Sequence, residues 1–491
     1  MLGSIFQSIL TPMVASVLTL ALGGRLKERV GWLAFLASVL SIALMLNPAQ
    51  KVYLGEAVVE AYPWIPLVGE FKLVADGLSM PIALTVAFLC TVISLYSMSY
   101  MKHESGLGVY FTLYLLYEAG MIGTVYAANL ALFFLFYELM LIPSWALIAV
   151  WGTGDKERIA LKYFIFTEAG ALSLLAGIAS TRALTGTFDM FEVASRIWGI
   201  QPPILIAVAV AILIGFFVKM ALFPLHTWLP DAHAEAPTPI SALLSPAMIG
   251  IGGYASIRVL YTCFPMLLES WSFTTVLSIL ALVTMVYGGL MAYTQDDIKR
   301  LLAYSSISQM GYMFFGVTSL SAIGLLGAVL IYVSHGLCKA TLFMVSGVLS
   351  HETGTRRISD LSGLASKMPL TTLAAVMGFL GIAGVPPLLG FWGELYIFLG
   401  SIYTAIGATG GLDLVRLAIT ILAIASAILT AGYGLWTIKR VFFGRPSKAA
   451  EGSHEPTILM LAPPIVLIVV AIVLGAYPAI IMSLTSPALG V

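Results

Sequence analysis

Apolar stretches of about 18 to 28 residues recur from one end of this 491-residue chain to the other, separated by short polar connections. A helix of that length matches the hydrocarbon thickness of a bilayer. Because hydrocarbon gives the backbone no water to bond, such a chain is confined to packed spanning helices. Fourteen segments are read, at 4–22, 30–46, 78–98, 109–127, 129–151, 161–183, 203–223, 239–260, 272–292, 301–319, 322–350, 372–399, 412–441 and 457–485. The expected fold is an all-α polytopic membrane protein with about fourteen transmembrane helices. With 60% hydrophobic and 10% charged residues and a mean hydropathy of +1.00, a soluble reading is excluded.

Lys+Arg and Asp+Glu are both 24, so net charge argues for neither nucleic acid nor an acidic partner. The distribution of charge is more informative. Sixteen basic residues, from Arg25, Lys27 and Arg29 through Lys299 and Arg300 to Lys439, Arg440, Arg445 and Lys448, fall in the loops after the odd-numbered spans. Only Lys51, Lys72, Arg182, Arg196, Arg258 and Arg416 fall in the alternate loops. Cytoplasmic loops carry the basic excess, so both termini are expected outside a cell membrane crossed many times. The N-terminus lacks a basic n-region and a small-residue cleavage site, so the first run is read as a retained span. The loop at 47–77 has the alternation and the Pro/Gly punctuation of a short hairpin.

Cys90, Cys263 and Cys338 stand far apart with no CxxC, and neither a GxGxxG after a strand nor a Walker loop occurs. No cofactor, no metal and no catalytic site are therefore expected in this chain. Its energy comes from an ion gradient or from a partner.

Lys219 lies in a spanning run that then meets Pro224, which cannot donate its helical hydrogen bond. A lysine at the bilayer centre costs roughly 2.5–3.5 kcal/mol on insertion scales, and freed carbonyls must find partners in protein or water. Polar groups at a broken helix are how transporters build ion paths. A second interruption, Gly384 to Gly390 in span 12, is followed by Glu394. Spans 7 and 12 are five apart, the offset that two inverted five-helix repeats, spans 4–8 and 9–13, would give. No linker divides the chain, so 1–491 reads as one membrane domain: N-terminal spans at 1–108, a first repeat at 109–260, a second at 272–441 and a last span at 457–485.

The charges well inside spans are Glu118, Glu138, Glu168, Lys219, Lys339 and Glu394, with His335 one helical turn before Lys339. Series of Asp, Glu, His and Lys at membrane depth are proton relays in pumps. Glu138, Lys219, His335, Lys339 and Glu394 are the candidate ion path. Glu118 and Glu168 lie near a kink or loop, and His226 and His233 in a Pro-rich connection. For these four, structural hydrogen bonding explains their presence as well as membership of a relay does. Desolvation and a neighbouring carboxylate move a lysine's proton affinity in opposite directions, each pKa unit being about 1.4 kcal/mol. A small motion of Glu138 relative to Lys219 would thus load or release a proton. Arginine, always charged, would not serve.

At these residues the sequence resembles the antiporter-like proteins of respiratory complex I (the chain M, N and L types), the A and D types of Mrp antiporters, and their relatives in membrane-bound hydrogenases and sulfur reductases. The motifs are Phe-Tyr-Glu138-Leu-Met-Leu-Ile-Pro, Lys219 to Leu244, Asp296 to Tyr312, His335-Gly-Leu-Cys-Lys339 and Gly-Val-Pro-Pro-Leu-Leu-Gly-Phe-Trp-Gly-Glu394. The resemblance implies that Glu138 pairs with Lys219, that Lys339 continues a central polar axis, and that Glu394 leads to the exit. The sequence departs at span 8, where Gly250 replaces the titratable residue four positions before Tyr254, leaving a gap for water to bridge. Glu394 is as in the chain M type, where the D-type Mrp proteins and chain L usually carry lysine, and no long amphipathic helix like that of chain L follows span 14, so the resemblance points to the chain M or Mrp D branch without fitting either complex cleanly.

The resemblance implies a proton- or sodium-translocating subunit of a redox-driven membrane complex. It would stand beside neighbouring antiporter-like subunits, with an iron–sulfur redox arm bound by other subunits. Two alternatives stand beside this: an Mrp-type Na+/H+ antiporter subunit without a redox partner, and a non-conducting structural subunit.

Overall fold

A helix forms at each apolar segment because, in a run without polar side chains, intrahelical hydrogen bonds are the cheapest way to satisfy buried amides. The computed structural model describes residues 2–407 and 411–490. The chain begins with α1 (Ser4–Leu26) and α2 (Val30–Tyr53), then an antiparallel hairpin, β1 (Val58–Ile65) and β2 (Gly69–Ala75), paired Val58 to Ala75 and Tyr62 to Phe71. There follow α3 (Ser79–Tyr100), α4 (Leu107–Tyr126), α5 (Leu130–Trp151), α6 (Lys156–Thr185) and the short α7 (Met190–Arg196). The seventh segment is α8 (Pro202–Met220) and α9 (Leu229–Glu235), and the eighth is α10 (Thr238–Leu243), a π-turn at Leu244–Met248 and α11 (Ile249–Thr262). The second half is α12 (Trp271–Tyr293), α13 (Ile298–Val317), α14 (Ala322–Thr353), α15 (Pro369–Ile382), α16 (Leu389–Ala405), α17 (Leu414–Phe442), α18 (Ile458–Ala476) and α19 (Ala479–Leu489).

Among the described residues ten stretches are long and apolar enough to cross a membrane, the first, Ser4–Tyr53, holding both α1 and α2. Two further helices, α4 and α13, fall short of that apolarity. Nearly all their side chains are enclosed by protein, so they carry buried tyrosines, serines and Glu118 that a lipid-facing helix would not tolerate. The expected single span at 457–485 is divided. Tyr477, pushed to φ −133° and ψ 71° ahead of Pro478, ends α18, as the residue before a proline does. The π-turn has a comparable origin, since Pro246 brings no N–H to the helix it sits in.

The two breaks share one local design. The Leu222 N–H donates to Phe217 O (3.0 Å) and the Ala221 N–H to Val218 O (3.1 Å), closing α8 with a Schellman motif. At the second break the Val385 N–H donates to Leu380 O (3.1 Å) and the Gly384 N–H to Gly381 O (3.4 Å). In each the left-handed residue, Ala221 at φ 56° or Gly384 at φ 66°, precedes a proline by three positions. The Trp228 indole N–H also donates to Val218 O at 2.9 Å, so a carbonyl freed by the break is satisfied inside the protein.

Alanine is strained where glycine is free. A left-handed residue with a Cβ costs roughly 1–2 kcal/mol, against roughly 0.5–1 kcal/mol of extra backbone entropy for glycine. Ala221→Gly should therefore stabilise the fold by about 0.5–1 kcal/mol, read as a higher melting temperature in detergent; a lower one would mean that α8 is held at Ala221 by something other than this motif.

At one end of the bundle the hairpin's Glu60 carboxylate accepts the Ile5 and Phe6 N–H groups at 2.9 Å each, capping α1, and Lys72 pairs with Asp189 at 2.6 Å. Elsewhere Asp231 joins Lys162 (2.6 Å) and Arg300 (3.0 Å), while Arg356 pairs with Asp297 and Arg357 with Asp296. The N-terminal ends of α6 and α13 thus meet α9 at Asp231, and the α14–α15 connection meets the α12–α13 connection.

Candidate functional site

Lys219 stands in the last turn of α8, 1% exposed, two residues before the break. Its ammonium lies 4.5 Å from the centre of the Tyr137 ring, and Nζ has no hydrogen-bond partner among the described residues. The ring is fixed from below by the Tyr137 hydroxyl, which donates to Gly215 O one turn earlier on α8 (3.0 Å). Glu138 on α5 and Glu168 on α6 both lie within electrostatic reach of the ammonium and of one another. Glu138 Oε1 is buried without a partner. The structure therefore gathers Glu138, Glu168 and Lys219 from three helices. A cation resting on a ring face near two carboxyls, without a closed ion pair, can gain or lose a proton through small movements.

A second cluster surrounds Lys339, fully buried in α14. Its ammonium donates to Leu302 O (3.1 Å) and Ser305 Oγ (2.5 Å), and Ser305 Oγ lies 2.6 Å from the Tyr433 hydroxyl. Glu394, near the start of α16, is 9% exposed and within electrostatic reach of Tyr433 and Tyr312. Ser305 and Tyr433 thus join Lys339 toward the second break. His335 has both ring nitrogens unpartnered and faces Lys339 and His233.

His233 on α9 is wholly buried, stacked 4.7 Å from Phe343, with both nitrogens unpartnered. His226, in the turn between α8 and α9, lies against Phe223 and Tyr287, and its Nδ1 has no partner. Glu118 is placed elsewhere: its Oε2 accepts from Ser38 on α2 (2.6 Å), so it faces α2 and α3 and not the Lys219 cluster.

Several members of this interior escape a reading of the sequence. Lys299 falls in a loop by hydropathy, yet it is 3% exposed in the first turn of α13 and donates to Ala236 O at 2.6 Å. Tyr137, Ser305 and Tyr433 register in the sequence only as parts of spans. Gly250 also differs from expectation. A Cβ there would sit 2.5 Å from the Tyr332 ring, so an aromatic side chain fills the place assigned to water.

Outside the spans, Asp76 holds a bidentate ion pair with Arg258 of α11, at 2.7 and 2.8 Å. Burial alone would raise the Asp76 carboxyl, but the Arg258 guanidinium and hydrogen bonds from Ser79 hold it below its ordinary value.

Residues 127–420, which contain Glu138, Glu168, Lys219, His335, Lys339 and Glu394, match the family described as "NADH:quinone oxidoreductase/Mrp antiporter, TM", and residues 64–111 match "NADH-Ubiquinone oxidoreductase (complex I), chain 5 N-terminus". The chain belongs to this antiporter-like family. Its relatives include F(420)H(2) dehydrogenase subunit M of Methanosarcina mazei, 32% identical over 447 residues, covering 89% of this chain and 87% of the relative. In fold, this antiporter-like subunit superposes on a chain of respiratory complex I from Thermus thermophilus with a TM-score of 0.86, 26% identity and coverage of 99% and 98%. A chain of the Mrp complex from Dietzia sp. gives 0.89 at 22% identity, covering 99% and 96%. The protein is thus a multi-pass, helical membrane subunit of the complex I/Mrp type.

Proposed function

We propose that this subunit translocates protons or sodium ions in a redox-driven membrane complex, through an axis of Glu138, Glu168, Lys219, His335, Lys339 and Glu394. The observation that carries this reading is the Lys219 cluster: a buried, unpaired ammonium beside two carboxyls at a broken helix. Such a group costs stability and has no packing rationale. Ions enter from the cytoplasmic side toward Lys219, pass to Lys339 and leave near Glu394. His226 and His233 line the approach.

The fourteen spans, two inverted five-helix repeats at 109–260 and 272–441 and both termini outside complete this reading. The matching Schellman breaks after α8 and α15 support the repeats, and the basic face around Asp231 supports the orientation. Partners are neighbouring antiporter-like subunits and a peripheral redox arm carried by other subunits. The dehydrogenase relative at 32% identity favours this over a redox-free antiporter.

Gentle detergent purification of the native complex tests the assignment. Iron–sulfur absorption should travel with this chain. A metal-free assembly of small hydrophobic subunits would make it an antiporter subunit instead.

A further inference from the structure

Between the Lys219 cluster and His335 the structure places three buried phenols that the axis above does not use. Tyr163 of α6 has its hydroxyl 2.7 Å from Ser144 Oγ and 3.6 Å from Met248 Sδ, and it lies within electrostatic reach of Glu138. Tyr332 of α14, one turn before His335, donates to Ala247 O at 3.1 Å. Ala247 and Met248 are consecutive residues of the π-turn, so hydroxyls from α6 and α14 meet on it. Such turns occur often at functional sites.

The third phenol, Tyr117 of α4, is fully buried, lies within electrostatic reach of both Tyr163 and Tyr332, and its hydroxyl has no hydrogen-bond partner among the described residues. A buried hydroxyl normally has a partner, from protein or from ordered water. Gly250 permits the arrangement, because any side chain there would displace the Tyr332 ring.

We propose that Tyr163, Tyr117 and Tyr332, with water held on the Tyr117 hydroxyl, form a bridge that carries protons past the π-turn from Glu138 to His335. The inference rests on the ion-path reading and commits it to protons in this segment. Tyr163 and Tyr332 first turn their O–H bonds away from Met248 Sδ and Ala247 O, and each hydroxyl then takes a proton on an oxygen lone pair as it gives its own O–H proton to the next acceptor. No phenol is left charged, and the proton ends on an unpartnered nitrogen of His335. No oxidant or other co-reactant is needed.

The test reconstitutes the native complex in vesicles and reads proton translocation per turnover with a trapped pH dye, for Tyr117→Phe, Tyr332→Phe, Tyr114→Phe and Lys219→Met. Loss of a positioned proton-transfer group typically costs about 100-fold or more, and that loss is expected for Tyr117→Phe and Tyr332→Phe. Tyr114, whose hydroxyl donates to Cys90 O, lies off the bridge, and Tyr114→Phe should translocate normally. Tyr117→Phe removes a hydroxyl that bonds no protein atom, so its melting temperature should hold, which separates transport from folding. If both phenol variants translocate at the wild-type rate while Lys219→Met is inactive, the bridge is overturned and the ion path stands. If Lys219→Met also translocates normally, the ion path falls and the bridge falls with it.

Discussion

Lys219→Met is expected to abolish ion translocation and to leave the protein at least as stable as before. The two halves follow from the same geometry. A lysine at membrane depth costs roughly 2.5–3.5 kcal/mol, and a desolvated cation over an aromatic face returns about 2 kcal/mol. Lys219 has the ring of Tyr137 at 4.5 Å and no hydrogen bond, so the balance is a net cost of about 1 kcal/mol that methionine removes. Methionine fills the same volume without a titratable group. Transport in reconstituted vesicles should fall to the leak of protein-free vesicles, while the melting temperature holds or rises. Glu138→Gln should give the same loss. Because residues acting as a unit are not additive, the double variant should be no worse than either single one. Wild-type transport by Lys219→Met would remove this lysine from the path; lost transport with a collapsed melting temperature would make it structural.

The parts legible from sequence are those that hydropathy and charge mark directly. An apolar run leaves the backbone one solution, so helices appear at all fourteen segments, and a charge inside such a run stands out against it. Glu138, Lys219, His335, Lys339 and Glu394 stand out that way, and all are buried or partly buried. Signals without a polar label are lost. Pro224 marks the first break, but α8 ends four residues earlier at Met220, because Ala221 adopts a left-handed turn that alanine does not advertise. Tyr117, Tyr163 and Tyr332 carry no charge to single them out within a span, and the roles of their hydroxyls become visible only once partners are placed. Their one sequence trace is Tyr110, Tyr114 and Tyr117 recurring at helical spacing on α4. Lys299 reads as loop because it follows Asp297; in the structure Asp297 is the N-cap of α13, its carboxylate accepting the Lys299 and Arg300 N–H groups, and the lysine already belongs to the interior.

Arg258→Ala should be the most destabilising single change outside the ion path, by about 3–5 kcal/mol, the usual cost of removing one partner from a buried ion pair. Arg258 and Asp76 have side chains only 7% and 14% exposed and meet through two hydrogen bonds, and the Arg258 Nε–H also donates to the Tyr254 hydroxyl at 3.2 Å. Alanine would leave the Asp76 carboxylate enclosed with only backbone and hydroxyl donors from Leu78 and Ser79. Asp76→Asn keeps the oxygen that accepts those N–H groups, yet leaves the guanidinium buried without its counter-charge, so it should also be costly. Replacing both charges removes the penalty instead of exposing it, since a buried pair often exchanges for apolar residues at little net cost. Asp76→Asn with Arg258→Leu should therefore melt well above Arg258→Ala alone, and the double-mutant cycle measured in detergent gives the coupling directly. Additive losses would show that each residue holds its own neighbourhood. Strong coupling would show that this one pair ties the start of α3, where the hairpin enters the bundle, to the end of α11, which leads back to the π-turn.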